Sequence, residues 1–191
     1  ISDTYNGWID LFGWGTGSNP TNISGGGETY IFTDWGINQI GNDTPYTWRT
    51  LTDKEWHYLR YERNNAERLI GVAQINEVNG LILLPDDWTC PEGVGFQAGF
   101  HTERDDTYYA AYQKISHSDW SKMEQAGAIF LPAAGSRYVS QTDLVQFYGC
   151  YWTASSYNDY SACIFQFFSN GADIDNLNRS MGLSVRLVRE L

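Results

Sequence analysis

No apolar run in this chain approaches the ~20 residues that a helix needs to cross a bilayer, so direct insertion of this stretch into a membrane is not expected. Basic residues are scarce: 12 Lys and Arg stand against 23 Asp and Glu, a formal net charge of -11. Such a field repels phosphate backbones and anionic headgroups, which argues against nucleic acid as a partner. Cysteine is sparse too. Cys90, Cys150 and Cys163 cannot all pair within one chain, and none belongs to a C-x-x-C pair of the zinc or thioredoxin type. Buried free thiols are one reading and a cross-strand Cys150 to Cys163 bridge is the other. Neither an initiator Met nor a signal-peptide pattern precedes Ile1, which points to a processed or trimmed piece of a longer protein.

The common catalytic signatures are also missing: H-E-x-x-H, G-x-S-x-G, G-x-x-x-x-G-K and G-x-G-x-x-G do not occur. His57, His101 and His117 stand far apart and read as surface or hydrogen-bonded core residues. The acidic clusters Asp86-Asp87, Glu103 to Asp106 and Asp173 to Asp175 lack the alternating oxygen ligands of a calcium loop, and DIDNLN has Asn178 where such a loop needs its sharp-turn Gly. They read as solvated acidic loops. No catalytic residue, metal site or cofactor is expected.

What the chain has in quantity is aromatic surface and turns. Aromatic residues make up 16%, with eight Trp and thirteen Tyr, beside nineteen Gly. At 191 residues this fits one domain with a sizeable core. The first fifty residues are turn-dense and predict loops with a few short strands. At LTDKEW, Thr52 and Glu55 form a capping box, and Leu51 with Trp56 takes the hydrophobic-staple positions. A helix is predicted from there to about Arg63, with Trp56 and Leu59 facing in.

An Asn-Gly turn at Asn79-Gly80 followed by Leu81 to Leu84 predicts a buried strand, stopped by Pro85. From Cys90 to about His117 an irregular stretch is expected. HSDWSKMEQAG predicts a second helix, capped by Ser116 or Ser118, with Trp120 and Met123 inward and Gly127 at its C-terminal end. AIFLPAAG, GCYWTASS, ACIFQFF and LSVRLVREL then read as successive strands. Helices and strands do not alternate, so the fold class is α+β with a mostly antiparallel sheet.

The segments WRTLTDKEWHYL, GLILLPDDW, AGAIFLPAAGSRY, YWTASS and GLSVRLVRE, in that order, resemble the C-type-lectin-like surface proteins of gut bacteria related to the Fibrobacter succinogenes major paralogous domain. GWIDLFGWGTGSNPTN is similar to the same group's N-terminal portion. The resemblance implies a single C-type-lectin-like domain, N-terminally truncated here, with SVRLV near its centre and Val185, Leu187 and Val188 largely buried. It also implies a secreted or cell-surface bacterial protein, and a protein or glycan ligand on another cell or surface.

The same fold is used by variable proteins of diversity-generating retroelements, which change side chains near the C-terminus on a fixed sheet, and by formylglycine-generating enzymes. YWTASS to GLSVRLV resembles such a variable region. The enzyme would need a close pair of reactive cysteines, whereas Cys150 and Cys163 are separated by twelve residues. The calcium lectins' ligand motifs are replaced here by Leu84-Pro85-Asp86 and Tyr157-Asn158-Asp159. A structural adhesin or pilus subunit is a further alternative, and it predicts a donor strand or an exposed, unpaired sheet edge.

Period-2 parity of ACIFQFF places Cys163, Phe165 and Phe167 on one face and Ile164, Gln166 and Phe168 on the other. Taking the first face as core, the expected ligand-binding residues are Tyr157, Asn158, Asp159, Tyr160, Ile164, Gln166, Phe168, Asn170, Asp173, Asn176, Asn178, Ser180 and Met181. Tyr157 to Tyr160, the outer strand face and a loop from Asp173 to Met181 are expected to form one patch. Its mixture of Tyr with Asn, Asp and Ser is the one that paratopes use.

Overall fold

The computed structural model describes residues 12–18, 32–100, 112–139 and 141–190. His101 and the acidic stretch Glu103 to Asp106 lie outside the described residues, as does most of GWIDLFGWGTGSNPTN. The elements are β1 (Arg49–Thr50), α1 (Asp53–His57), β2 (Ile70–Ile75), β3 (Val78–Leu83), β4 (Gln113–Ile115), α2 (His117–Gln125), β5 (Ile129–Pro132), β6 (Ser136–Tyr138), β7 (Gln141–Asp143), β8 (Gly149–Ser156), β9 (Ser161–Phe168), β10 (Gly171–Asn178) and β11 (Leu187–Val188). The class is α+β. One sheet has the order β4-β2-β3-β5 and another β10-β9-β8, with two-stranded ribbons β1-β11 and β6-β7. All of these pairs are antiparallel except β2 with β4.

Helix α1 begins where its local chemistry dictates. The Thr52 hydroxyl accepts from the Glu55 backbone N–H at 3.2 Å and the Glu55 carboxylate accepts from the Thr52 N–H at 2.8 Å, so two orphan donors are satisfied reciprocally. The helix widens into a π-helical stretch at Tyr58–Glu62 and stops at Arg63. Arg63 is buried, but its guanidinium donates to the carbonyls of Leu59, Leu69 and Leu84 and to Asp86. Helix α2 is capped by Ser116, and Gly127 follows it with φ +92°. Met123 is buried within it and Trp120 is half-buried.

Three apolar clusters make the core. The first joins both larger sheets to α1 through Trp56, Ile70, Leu81, Leu131, Tyr151, Phe165 and Phe167. The second lies on the other side of the β2-β3 sheet, around Ile82, Leu84 and Met123. The third covers the opposite face of the β8-β9 sheet with Trp14, Trp152, Ile164 and Leu183. Segments far apart in sequence meet there: Phe12 and Leu183 exchange backbone hydrogen bonds of 2.8 and 3.0 Å.

Several expectations need correction. The hairpin turn of β2-β3 is Asn76-Glu77, both at positive φ, which matches the strand twist. Gly80 instead sits inside β3, where a Cβ would meet the Leu131 carbonyl at 2.4 Å. The stretch after Cys90 contains β4, and Asp173 to Met181 is mostly strand β10 rather than a loop. Val185, Leu187 and Val188 are half-buried, because β11 pairs only with the short β1 at the rim and not at the centre. The central strand is β9.

Two outcomes follow. A Cβ on Gly149 would lie 1.9 Å from the Phe167 ring, so Gly149→Ala should cost about 2 kcal/mol or more of unfolding free energy in denaturant titrations. The Arg49 guanidinium, hydrogen-bonded to Glu55, holds that carboxyl down at about 2 despite some desolvation. Its folded value is depressed, so its contribution is full above the unfolded value of about 4.3 and is lost as pH falls from there toward 2. Thermal melts across that window should fall more steeply for the wild type than for Glu55→Gln.

Candidate functional site

The expected binding residues divide between the two ends of the β8-β9-β10 sheet. Ser161 is opposite Asn178 at one end, and Phe168 is opposite Gly171 at the other. Seven residue steps separate them, about 23 Å along the strands. Tyr157, Asn158, Asp159 and Tyr160 form the β8-β9 turn, and Asn178 and Ser180 lie beside it. Phe168, Asn170 and Asp173 belong to the far end, so the expected single patch is two.

The β8-β9 turn is locked from within and from below. The Asn158 Oδ1 accepts from the backbone N–H of both Tyr160 and Ser161 at 2.8 Å, a side-chain mimic of a backbone turn. Arg179, just past β10, donates to the Ser156 hydroxyl at 2.6 Å and to the Asn158 carbonyl, and its own N–H reaches the Tyr160 carbonyl at 3.0 Å. Its guanidinium also lies 4.5 Å from the Trp14 ring. On this base Tyr157 and Tyr160 stand 61% and 59% exposed. Asn158 and Asp159 are exposed as well. The Asn178 Oδ1 turns back to the Ser180 N–H and hydroxyl at 3.0 and 2.7 Å.

Ile164 is the clear correction, with 0% exposure. Parity separates the two faces of β9 correctly, but both are covered: Phe165 and Phe167 by the first cluster, Ile164 by Trp14, Trp152 and Leu183 of the third. Met181 is half-buried against that same cluster. Phe168 is half-buried and stacks on Tyr148 with centroids 4.7 Å apart. Gln166 is tied on both sides, accepting from the Tyr148 hydroxyl at 2.8 Å and donating to Asp175 at 3.1 Å. Asn176 pairs with Cys163 and so belongs to the face of Phe165, while Asn170 is exposed in the β9-β10 turn.

The outer edge of β10 is closed by side chains. Asp173 accepts from the Ile174 N–H at 2.7 Å and Asp175 from the Asn176 N–H at 2.8 Å. The Ala172 carbonyl is taken by Arg60 at 3.0 Å and by the Tyr61 hydroxyl at 3.3 Å. These groups share one parity, the one that points away from β9. Among the described residues no group of three or more His, Cys, Asp or Glu is placed to hold a metal ion, and no helix is long and apolar enough to cross a membrane.

Residues 104–188 match a family described as a domain of unknown function, DUF8237. The match covers less than half of the chain and runs from before β4 through β11, so it takes in the whole β8-β9-β10 sheet and both of its turns. No curated protein and no solved structure matches the chain.

Arg179 is the residue that sequence reasoning missed. Its signal was slight, a lone cation after an acidic and amide-rich run, and its partner turn lies about twenty positions upstream. The cysteines divide as the strands do. Cys150 is opposite Gln166 on the third cluster's face and Cys163 lies on the other, so no bridge joins them and all three thiols are free. Burial pushes the Cys150 thiol up to about 12, and Cys90, against expectation, is exposed. In the folded protein iodoacetamide should therefore modify Cys90 alone, with Cys150 and Cys163 reacting only in denaturant, as read by mass spectrometry of the intact chain and its peptides.

Proposed function

We propose that this chain is a non-catalytic binding module of the C-type-lectin-like type, secreted or displayed at a bacterial surface, that takes a protein or glycan ligand on its β8-β9 turn. The observation that carries this reading is a pair of exposed tyrosines on a turn whose backbone is held by Asn158 and Arg179. A rigid aromatic pair offers wide contact area at little entropic cost, and the neighbouring Asn, Asp and Ser groups add hydrogen bonding. The ordered words of the resemblance fall on helix α1 and on strands rather than on the β8-β9 turn: WRTLTDKEWHYL on β1 and α1, GLILLPDDW on β3, AGAIFLPAAGSRY on β5 and β6, YWTASS on β8, and GLSVRLVRE on the rim strand β11. That is the distribution expected when a fixed frame carries changeable turns, as in retroelement-diversified receptors and adhesins.

Against the formylglycine-generating alternative stands the placement of Cys150 and Cys163 on opposite faces of a sheet, with a thiol at Cys150 that stays protonated. Against a strand-exchanging adhesin or pilus subunit stands the outer edge of β10, where the Ile174 and Asn176 N–H groups and the Ala172 carbonyl are already taken.

Glycan arrays and panels of cell-surface proteins provide the ligand screen. Against a ligand so found, the double change Tyr157→Ala and Tyr160→Ala should weaken binding at least tenfold and leave the thermal midpoint unchanged. Unchanged affinity would place the binding surface elsewhere. Diversification is tested in the neighbouring DNA: a near-copy of the coding region for Tyr151 to Arg186, differing at adenines and lying beside a reverse transcriptase, supports it, and its absence removes that part of the reading.

A further inference from the structure

Among the described residues four arginines are wholly or partly buried: Arg60, Arg63, Arg137 and Arg179. Three of them donate to named acceptors. Arg60 reaches the Ala172 carbonyl, Arg63 three carbonyls and Asp86, and Arg179 the Ser156 hydroxyl with the Ser161 and Asn158 carbonyls. Arg137 is different. Its Nε is sealed from solvent and has no acceptor among the described residues, and with those residues its guanidinium makes none of the side-chain hydrogen bonds, ion pairs or ring contacts that hold the others. Desolvation pushes its pKa down, and no carboxylate among the described residues offsets it.

The arrangement is built rather than incidental. Arg137 and Gly182 exchange backbone hydrogen bonds of 2.8 Å in each direction. The guanidinium lies across Gly182, where a Cβ would come within 2.7 Å of Nε and 3.1 Å of one terminal nitrogen. Any side chain at 182 would displace it. With Nε sealed, the terminal nitrogens are the part of the fork that remains accessible. Thr142 is paired with Arg137 across β6-β7 on the side of the strand away from Gly182.

We propose that Arg137, seated on Gly182, anchors a binding site for a single carboxylate group of a ligand. A partly desolvated cation without a counter-ion is unfavourable in the free protein and becomes favourable when an anion arrives. A planar fork matches a carboxylate through two parallel N–H···O bonds. One arginine in a chain of net charge -11 suits one carboxylate, and does not suit a phosphate dianion or a polyanion, which the overall field repels. Acidic sugars and acidic peptide side chains both present this group. The site uses residues separate from the Tyr157-Tyr160 turn, so each can fail without the other.

The test is titration of the isotope-labelled protein with sodium glucuronate, N-acetylglutamate amidated at its α-carboxyl so that only the side-chain carboxylate remains, glucose and inorganic phosphate, followed by NMR. Glucuronate, N-acetylglutamate or both should shift the amides of Arg137 and Gly182 saturably, and glucose and phosphate should not. A response to glucuronate alone identifies an acidic sugar, and a response to N-acetylglutamate alone an acidic peptide side chain. Arg137→Gln should weaken that binding tenfold or more, Arg137→Lys should weaken it less, and the thermal midpoint of Arg137→Gln should stay level or rise, since an uncompensated cation has been removed. Binding that survives Arg137→Gln, no response to either carboxylate, or a midpoint lowered by Arg137→Gln would overturn the proposal, the last by showing a structural role.

Discussion

The indole of Trp56 lies flat on the ring of Phe165, with centroids 4.3 Å apart and planes 3° from parallel. That stack fastens a helix near the start of the described chain to the middle of the most central strand. Around it the first core cluster brings Ile70 and Leu81 from one sheet against Tyr151 and Phe167 from the other, so two sheets and α1 share one apolar interior. The turns at either end of β8-β9-β10 take their position from this frame. Large side chains buried at such a junction contribute on the order of 2 to 3 kcal/mol each, and here they contribute to the relative placement of three elements at once.

The parts of the fold legible in the sequence are those whose causes are local. The capping box at Thr52 and Glu55, the staple of Leu51 and Trp56, the Ser116 cap and the Gly127 exit all act within a few residues, and each is where its pattern says. Strand parity on β9 was legible too, but parity only sorts residues into two faces. Whether a face is covered depends on Trp14 and Leu183, which arrive from opposite ends of the chain, and that is why Ile164 reads as surface and is core. β10 was illegible for a different reason. GADIDNLN has few strand-forming residues because it is an edge, and its aspartates serve the backbone of their own strand.

The candidate site shows the same division. Tyr157 to Tyr160 could be recognised from composition, since exposed tyrosines among Asn, Asp and Ser stand out from the apolar strands on either side. The residues that give the turn its shape and the sheet its neighbours could not. Arg179, Arg63 and Arg60 satisfy backbone carbonyls at long range, and nothing in their immediate sequence marks the carbonyls they meet. Of the eight described arginines, Arg60, Arg63 and Arg179 act as cross-links between main-chain segments, while Arg49 and Arg189 are engaged with acids, Glu55 and Asp43.

The closed edge of β10 bears on how copies of this chain behave when crowded. An unprotected outer strand is a template on which a second chain can add hydrogen bonds without any specific side-chain fit. Here an approaching strand meets carboxylates already bonded to the N–H groups it would need, and a carbonyl already held by Arg60 and Tyr61. Displacing them costs desolvation of charge and returns one hydrogen bond for another. Main-chain pairing at this edge is thereby made a poor exchange, which leaves side chains, and not the bare backbone, as what β10 offers to a neighbour.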